Sequence, residues 1–132
     1  MFESAELGHR ITDRNFSRDV PKLRQALLKA QYDLLGAKTF PLIIVIGGVD
    51  GAGKGETVNV LNEWMDPRHI VTHAFGEMSD EERERPRMWR YWRALPPKGR
   101  IGILFGAWHS EPIVKRVLGE IDDSELELAM DE

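Results

Sequence analysis

The sequence contains no cysteine and no long apolar run. Without cysteine, the chain can form neither disulfides nor cysteine-ligated metal sites. Its longest apolar stretch, residues 41–46, is far shorter than the roughly 20 residues that cross a bilayer as a helix. The N-terminal stretch MFESAELGHR has acidic residues and lacks the apolar centre of a secretory signal. We therefore expect a cytoplasmic protein.

Basic residues are missing from the C-terminal end, where residues 120–132 hold seven acids, and are concentrated in the middle of the chain. Residues 83–100 contain seven bases and one acid. Such a block suits a polyanionic partner, although it also fits a solvated helix face. The net charge is −4, and the composition of 42% hydrophobic and 30% charged residues is that of a globular domain.

The hydrophobic spacing predicts a first helix that begins near Phe16. Ser17 or Asp19 is the expected cap, Pro21 is expected in the first turn, and Gly36 is a plausible stop. The β-branched run at residues 42–46 is typical of a strand buried on both faces. A second helix is predicted at residues 54–64.

Further along, residues 69–75 and 101–105 are predicted strands. Between them, Ser79 and Glu82 form a capping-box signal for a third helix to about Leu95, which Pro86 should kink or restart. This alternation predicts an α/β fold with parallel strands and right-handed crossovers. We expect an N-terminal arm at 1–15, a domain at 16–119 and the acidic start of another helix at 120–132. Since three strands make a small sheet, the sequence suggests an incomplete fragment of a longer protein.

Residues 48–55 read GVDGAGKG and fit the phosphate-binding pattern G-x-x-x-x-G-K. Glycines let backbone N–H groups turn toward phosphate oxygens, and the following helix N-terminus adds its dipole. A lysine in this place supplies positive charge to the outer phosphates. The setting between a buried strand and a helix favours a phosphate site over a structural glycine turn. The predicted phosphate-binding residues of this segment are Gly48, Gly51, Gly53, Lys54, Gly55 and Thr57.

Gly55 replaces the serine or threonine whose hydroxyl usually binds magnesium after the loop lysine. Asp50, inside the loop, is a candidate replacement ligand, although an aspartate there also fits simple turn formation. Thr57, one turn into the helix, is a second candidate, acting through its hydroxyl or by packing.

The loop, the segment WRYWRALPPKG at residues 89–99 and the apolar strand after it resemble the polyphosphate kinase 2 family. The resemblance covers about residues 16–118. Within the family, the sequence most resembles the N-terminal domain of two-domain members that act on polyphosphate and AMP. It implies a three-layer P-loop kinase fold, a parallel sheet flanked by helices. It also implies phosphoryl transfer between inorganic polyphosphate and a nucleotide (AMP or ADP) with Mg²⁺, a second homologous domain and a homo-oligomer.

On that resemblance, Asp50 holds the magnesium ion and Lys54 grips the transferring phosphates, so both are candidate catalytic residues. Guanidinium groups present a fork that matches phosphate oxygens. The candidate ligands from the basic block are Arg87, Arg90 and Arg93.

The family pattern is not kept after the third strand. Gly106 stands where a carboxylate is expected and Ala107 where an arginine is expected. Phosphoryl transfer depends on positioning and on neutralising charge, so we expect this domain to bind phosphate with little turnover. His109 has no evident partner and is not expected to replace the missing groups. Trp89 and Trp92 are expected in the core.

Three other functions remain open at this point. A non-catalytic pseudo-kinase domain that serves structure or oligomerisation fits Gly106 and Ala107. An ATP-dependent kinase of a small substrate fits the loop but requires an adenine pocket and a lid. Nucleic-acid binding fits the arginine block, although no nucleic-acid module signature accompanies it.

Overall fold

A computed structural model describes residue 8, residues 10–48 and residues 51–131 of the chain. Its helices are α1 (Asp13–Ala37), α2 (Lys54–Trp64), α3 (Asp80–Arg83), α4 (Trp89–Arg93), α5 (Ser110–Val117) and α6 (Asp123–Asp131). Its strands are β1 (Leu42–Ile46), β2 (Ile70–Ala74) and β3 (Ile101–Phe105), and a short 3₁₀ turn at Pro67–His69 precedes β2.

The three strands form one parallel sheet in the order β1-β3-β2, which confirms the predicted α/β class. Ile101 of β3 lies opposite Leu42 of β1 on one side and Ile70 of β2 on the other. Residues 101–104 are buried, and Ile103 is completely inaccessible to solvent. The strand that is last in sequence is therefore the centre of the sheet.

The prediction that β1 is buried on both faces is wrong for this chain. Leu42 is 40% exposed and Ile43 is 36% exposed. In the described part of the chain β1 pairs with β3 alone, so its other edge carries no partner strand. An apolar run in the sequence indicates that a strand is stable when buried, but it does not show which helix or strand covers it.

One buried cluster lies on the face of the sheet that α1 and α2 cover, and Leu104, on the opposite face of β3, is also fully buried. Val58, Met65, Ile70, Ile101 and Ile103 form a buried cluster, and Leu27 and Leu34 from α1 pack against it. Gln31 is 2% exposed and joins α1 to the end of α2. Its amide nitrogen donates to the Asp66 carbonyl (2.9 Å), and its amide oxygen accepts from the Asp66 backbone N–H (2.7 Å).

Helix α1 begins earlier than the sequence predicts. Thr12 is the cap, since its hydroxyl accepts from the Asn15 backbone N–H at 3.3 Å, and neither Ser17 nor Asp19 has this role. Pro21 consequently lies inside the helix rather than in its first turn. The helix continues through Gly36 to Ala37 and ends at Lys38, which has a left-handed φ of 51°.

The region after β2 is two short helices rather than one long helix. Ser79 and Glu82 form the predicted capping box at the start of α3, and the chain restarts as α4 beyond Pro86. Trp92 is 58% exposed and Trp89 is half-buried, so the expectation that both belong to the core is wrong. Tyr91 and Ala94 take the buried positions, because a five-residue helix buries only one narrow face.

The acidic C-terminal segment is helical in α6, as predicted. At the other end, residues 13–15 of the predicted arm already belong to α1. The domain boundaries at 15 and 119 stay predictions. Among the helices of the described residues, none combines the length and apolar character needed to span a bilayer.

Candidate phosphate-binding site

The carboxyl ends of the parallel strands meet at one edge of the sheet, which is where ligands bind in open α/β folds. The glycine-rich loop leaves β1 at this edge. Gly51 and Gly53 have φ values of 81° and 78°, which only glycine adopts without strain. Gly53 precedes α2 and offers no side-chain cap. The first backbone N–H groups of α2 therefore remain available to an anion, and the helix dipole favours one.

Lys54 is the first residue of α2 and lies back across the loop. Its Nζ donates to the carbonyl oxygen of Gly48 at 2.7 Å. A side chain at Gly48 would be strained by its φ of 151°, although an added Cβ would make only ordinary contacts, 3.4 Å from Ala52 Cβ and 3.7 Å from Lys54 Cδ. The described part of the loop thus holds Lys54 against Gly48. The role of Gly48, Gly51, Gly53 and Lys54 as phosphate ligands stays a prediction.

Gly55 and Thr57 lie on the first turn and a half of α2. An added Cβ at Gly55 would meet no heavy atom within 4 Å, so steric crowding does not explain the absence of a hydroxyl residue there. The Thr57 hydroxyl donates to the Gly53 carbonyl at 3.1 Å and so steadies the cap residue of the helix.

The predicted magnesium ligand, Asp50, lies outside the described residues. Within the described residues, no group of three or more His, Asp or Glu side chains converges on a point that suits a metal ion. Mg²⁺ needs only one or two protein carboxylates when substrate phosphates complete its octahedron. The assignment of Asp50 therefore stays a prediction.

Beside the loop, the carboxyl ends of β2 and β3 open into a cavity of about 590 Å³. Phe75 and Tyr91 form an aromatic wall with ring centroids 4.6 Å apart. Burial raises the pKa of the Tyr91 hydroxyl above its ordinary value. The aromatic wall suits a planar ligand. The charged side chains of the lining are of both signs, and Lys115 is paired with Glu111 at 2.7 Å; they are Arg90, Lys115, Glu77, Glu111 and Glu120.

Arg90 is largely enclosed, with 10% of its side chain exposed. Its Nη2 donates to the Gly76 carbonyl at 3.0 Å, and its Nε lies 3.3 Å from a carboxylate oxygen of Glu82. Its guanidinium also lies over the ring of Phe75, 5.3 Å from the centroid. The pKa of Glu82 is lowered, chiefly by the Ser79 backbone hydrogen bond and further by the charge of Arg90.

Arg93 lines a cavity of about 300 Å³ together with Arg90, and Arg87 is not among the residues that line it. Arg93 lies over the ring of Trp89, 4.7 Å from the centroid, and Arg85 contacts the same ring at 5.6 Å. Arg87 donates to the Ala129 carbonyl of α6 at 2.6 Å. The structure therefore gives the three arginines packing partners, and their role as phosphate ligands stays a prediction.

The turn after β3 carries no carboxylate or guanidinium near the loop. Strand β3 ends at Phe105, one residue before the position expected to hold the acid, and Gly106 follows with a φ of 75°. The backbone N–H of Gly106 donates to the Ile46 carbonyl at 3.0 Å, which joins this turn to the end of β1. Ala107 is 3% exposed, so no longer side chain is accommodated there without rearrangement.

Sequence reasoning missed the placement of His109. The imidazole Nε2 lies 3.5 Å from the point where a Cβ on Gly47 would stand, at the entrance to the glycine loop. This contact depends on the parallel pairing of β1 with β3, which brings the residues that follow each strand together. A lone histidine four residues after a strand carries no such signal in the sequence.

The comparisons with known proteins agree with this geometry. Residues 10–132 match the sequence model of the polyphosphate kinase 2 (PPK2) family. The chain is 55% identical over 131 residues to a polyphosphate:AMP phosphotransferase of Pseudomonas aeruginosa PAO1, covering 99% of this chain and 26% of that protein. It is 51% identical over 130 residues to the polyphosphate:AMP phosphotransferase of Pseudomonas syringae pv. tomato DC3000, covering 98% of this chain and 26% of that protein.

A crystal structure of a polyphosphate kinase 2 from Pseudomonas aeruginosa superimposes with a TM-score of 0.94 at 55% identity. The alignment covers 99% of this chain and 28% of that one. The chain thus spans about a quarter of the length of the relatives it matches. The family match extends over most of its residues, including the glycine loop and the basic block. The chain belongs to the polyphosphate kinase 2 family.

Proposed function

We propose that this chain is the phosphate-binding part of a polyphosphate-dependent nucleotide phosphotransferase, in which it holds phosphate but contributes little turnover of its own. The observation that carries the proposal is the position of Lys54, whose ammonium lies over a left-handed glycine loop at the N-terminus of α2. Two relatives that share more than half of its residues are named polyphosphate:AMP phosphotransferases.

The residues of the chain would act by binding and orienting the phosphates. The backbone N–H groups of the loop and of the first turn of α2 would donate hydrogen bonds to phosphate oxygens, and the Lys54 ammonium would leave the Gly48 carbonyl and bind the outer phosphates. Asp50, together with the phosphates themselves, would hold Mg²⁺, which neutralises charge on the phosphoryl group when bound. The aromatic cavity beside Arg90 is the best place for a nucleotide.

Weak turnover follows from what the neighbouring turn lacks. Phe105, Gly106 and Ala107 offer neither a carboxylate nor a cation to the phosphates. Removal of one preorganised charged or hydrogen-bonding group typically costs about 100- to 1,000-fold in rate. A site that lacks two such groups still binds phosphate through its loop.

The test separates binding from turnover in the intact protein. Inorganic tripolyphosphate should slow the reaction of Lys54 with an amine reagent, as followed by mass spectrometry, while Lys29 on α1 remains unprotected. Lys54→Ala should leave polyphosphate-dependent phosphorylation of AMP and ADP close to the level of a Lys29→Ala control. Absence of protection would refute phosphate binding, and loss of turnover in Lys54→Ala alone would show that this loop is catalytic.

A second candidate function is assembly without phosphate binding. The observation in its favour is the apolar face of α5, where Ile113, Val114, Val117 and Leu118 are 45–80% exposed. Contiguous apolar surface of this kind is typical of an interface. In this case Lys54 would show no protection by tripolyphosphate, and substitutions on α5 would change the oligomeric state.

A further inference from the structure

His109 is placed at the phosphate loop by the turn that follows β3. It precedes α5, and its imidazole lies beside Gly47, the residue that follows β1. Its Nε2 lies 3.5 Å from the position of a Cβ on Gly47, and the Ser110 hydroxyl oxygen lies 3.9 Å from the same position. Gly47 directly precedes Gly48, whose carbonyl holds the Lys54 ammonium. The imidazole and the ammonium therefore contact adjacent residues at the entrance of the loop.

The polar atoms of this side chain have no protein partner in the described part of the chain. The imidazole is half-buried and makes an edge contact with the Trp108 ring, 6.0 Å between centroids, but no hydrogen bond. It lies at the polar end of a cavity of about 970 Å³ whose remaining wall is the apolar face of α5. Because the imidazole is only half-buried, either water or an incoming ligand can supply its hydrogen-bond partner.

We propose that His109 is an additional phosphate ligand of the glycine loop. An imidazole N–H on Nε2 would donate to an oxygen of the phosphate that the loop and Lys54 hold. The proposal rests on the phosphate binding proposed above and adds a residue to it. His109 would supply a hydrogen-bond donor beside Gly47, which the methyl side chain of Ala107 cannot do.

The ligand that the glycine loop and His109 would share is a phosphate group. Inorganic polyphosphate and the phosphates of a nucleotide share these oxygens. Tripolyphosphate and ADP, tested separately, distinguish the two sources. Protection by tripolyphosphate alone assigns the inorganic chain, and protection by ADP assigns the nucleotide.

The experiment measures the ligand concentration that half-protects Lys54 from an amine reagent in the intact protein, for three variants beside the wild type. His109→Phe keeps a ring against Gly47 but removes the donor, and should raise this concentration about tenfold, the effect of one charge-assisted hydrogen bond. His109→Gln keeps an N–H donor and should restore most of the affinity. His73→Phe, a histidine on β2, is the matched control and should match the wild type.

Three results would count against the proposal. Unchanged protection in His109→Phe means that the imidazole does not bind phosphate, while the loop still does. Equal weakening in His109→Phe and His109→Gln means that packing rather than donation is lost. If Lys54 is unprotected in the wild type, both this inference and the proposed function are wrong.

Discussion

At the scale of single residues, Asp66 is the most heavily bonded carboxylate described. Arg68 donates to both of its oxygens, with Nε 3.0 Å from Oδ1 and Nη2 2.6 Å from Oδ2. The Tyr32 hydroxyl of α1 donates to Oδ2 at 2.8 Å, and the Arg68 backbone N–H donates to Oδ1 at 3.0 Å. These bonds, those of Arg68 first and that of Tyr32 second, hold the pKa of Asp66 far below its usual range.

The lowered pKa makes stability depend on acid in a predictable direction. The charged form is favoured in the folded state, so its contribution is complete above the unfolded pKa of about 3.9 and is lost as the pH falls below it. Asp66→Asn should lower the melting temperature by a few degrees at pH 7 and should flatten its decline between about pH 4 and pH 2. Thermal unfolding followed by circular dichroism at a series of pH values measures both effects.

Arg18→Gln is the control for this experiment. Arg18 forms an ion pair with Asp19 at 2.8 Å, compared with 2.6 Å for Arg68 and Asp66, but both side chains are well exposed and lie on one helix. Exposed pairs contribute little to stability, so this variant should keep the melting temperature and the acid profile of the wild type. A profile for Asp66→Asn as steep as that of the wild type would contradict the assignment.

The glycine loop between β1 and α2 was predictable because its chemistry is local, whereas phosphate binding by its residues stays a prediction. Glycines with positive φ and a lysine at a fixed spacing carry the same meaning in any chain of this pattern. His109 and Gln31 were not predictable, since both obtain their roles from contacts with residues far away in sequence. Trp92 was wrongly expected in the core because large aromatic side chains are usually buried. In the short helix α4, Tyr91 occupies the buried face and Trp92 lies on the exposed one.

At the scale of elements, the packing of β3 leaves no room beside Gly102. A Cβ added there would stand 2.9 Å from both Cδ and Cγ of Pro96, in the turn that precedes the strand. Gly102→Ala should therefore destabilise the fold by about 1–3 kcal/mol, the usual cost of overpacking. The free energy of unfolding in urea measures this cost.

Gly36→Ala is the matched comparison. Gly36 lies in α1, and an added Cβ would meet nothing within 4 Å. Alanine inside a helix is better than glycine by about 0.5–1 kcal/mol, so this variant should be slightly more stable than the wild type. Equal effects at the two positions would show that the contact with Pro96 is not what limits residue 102.

The bounds of β1 and β3 followed from the sequence, because a short β-branched run between turn signals has few alternatives. The order of the strands did not follow, since it depends on which crossover packs against which face. That order explains why β1, the most apolar strand in sequence, lies at an edge while β3 takes the centre. The start of α1 was also misjudged, because several residues near Thr12 are acceptable caps and only the fold selects one.

At the scale of the whole molecule, apolar surface is unevenly distributed over the described residues. The face of α5 exposes Val117 by 80% and Leu118 by 66%, and β1 leaves one edge of its backbone without a strand. Patches and edges of this kind promote association with another protein surface. The relatives that match this chain are about four times as long, so their remaining sequence can cover these surfaces.

The 132-residue chain by itself should therefore associate as its concentration rises, and Val117→Lys should reduce that association. A lysine places a charge in the middle of the apolar face of α5 and makes its burial against a second copy costly. Sedimentation velocity over a range of concentrations measures the mass distribution. Ile11→Lys is the control, because Ile11 is comparably exposed, at 72%, but lies ahead of α1 rather than on α5. If both variants associate as strongly as the wild type, α5 is not the contact surface, and the open edge of β1 becomes the next site to test with Ile43→Lys.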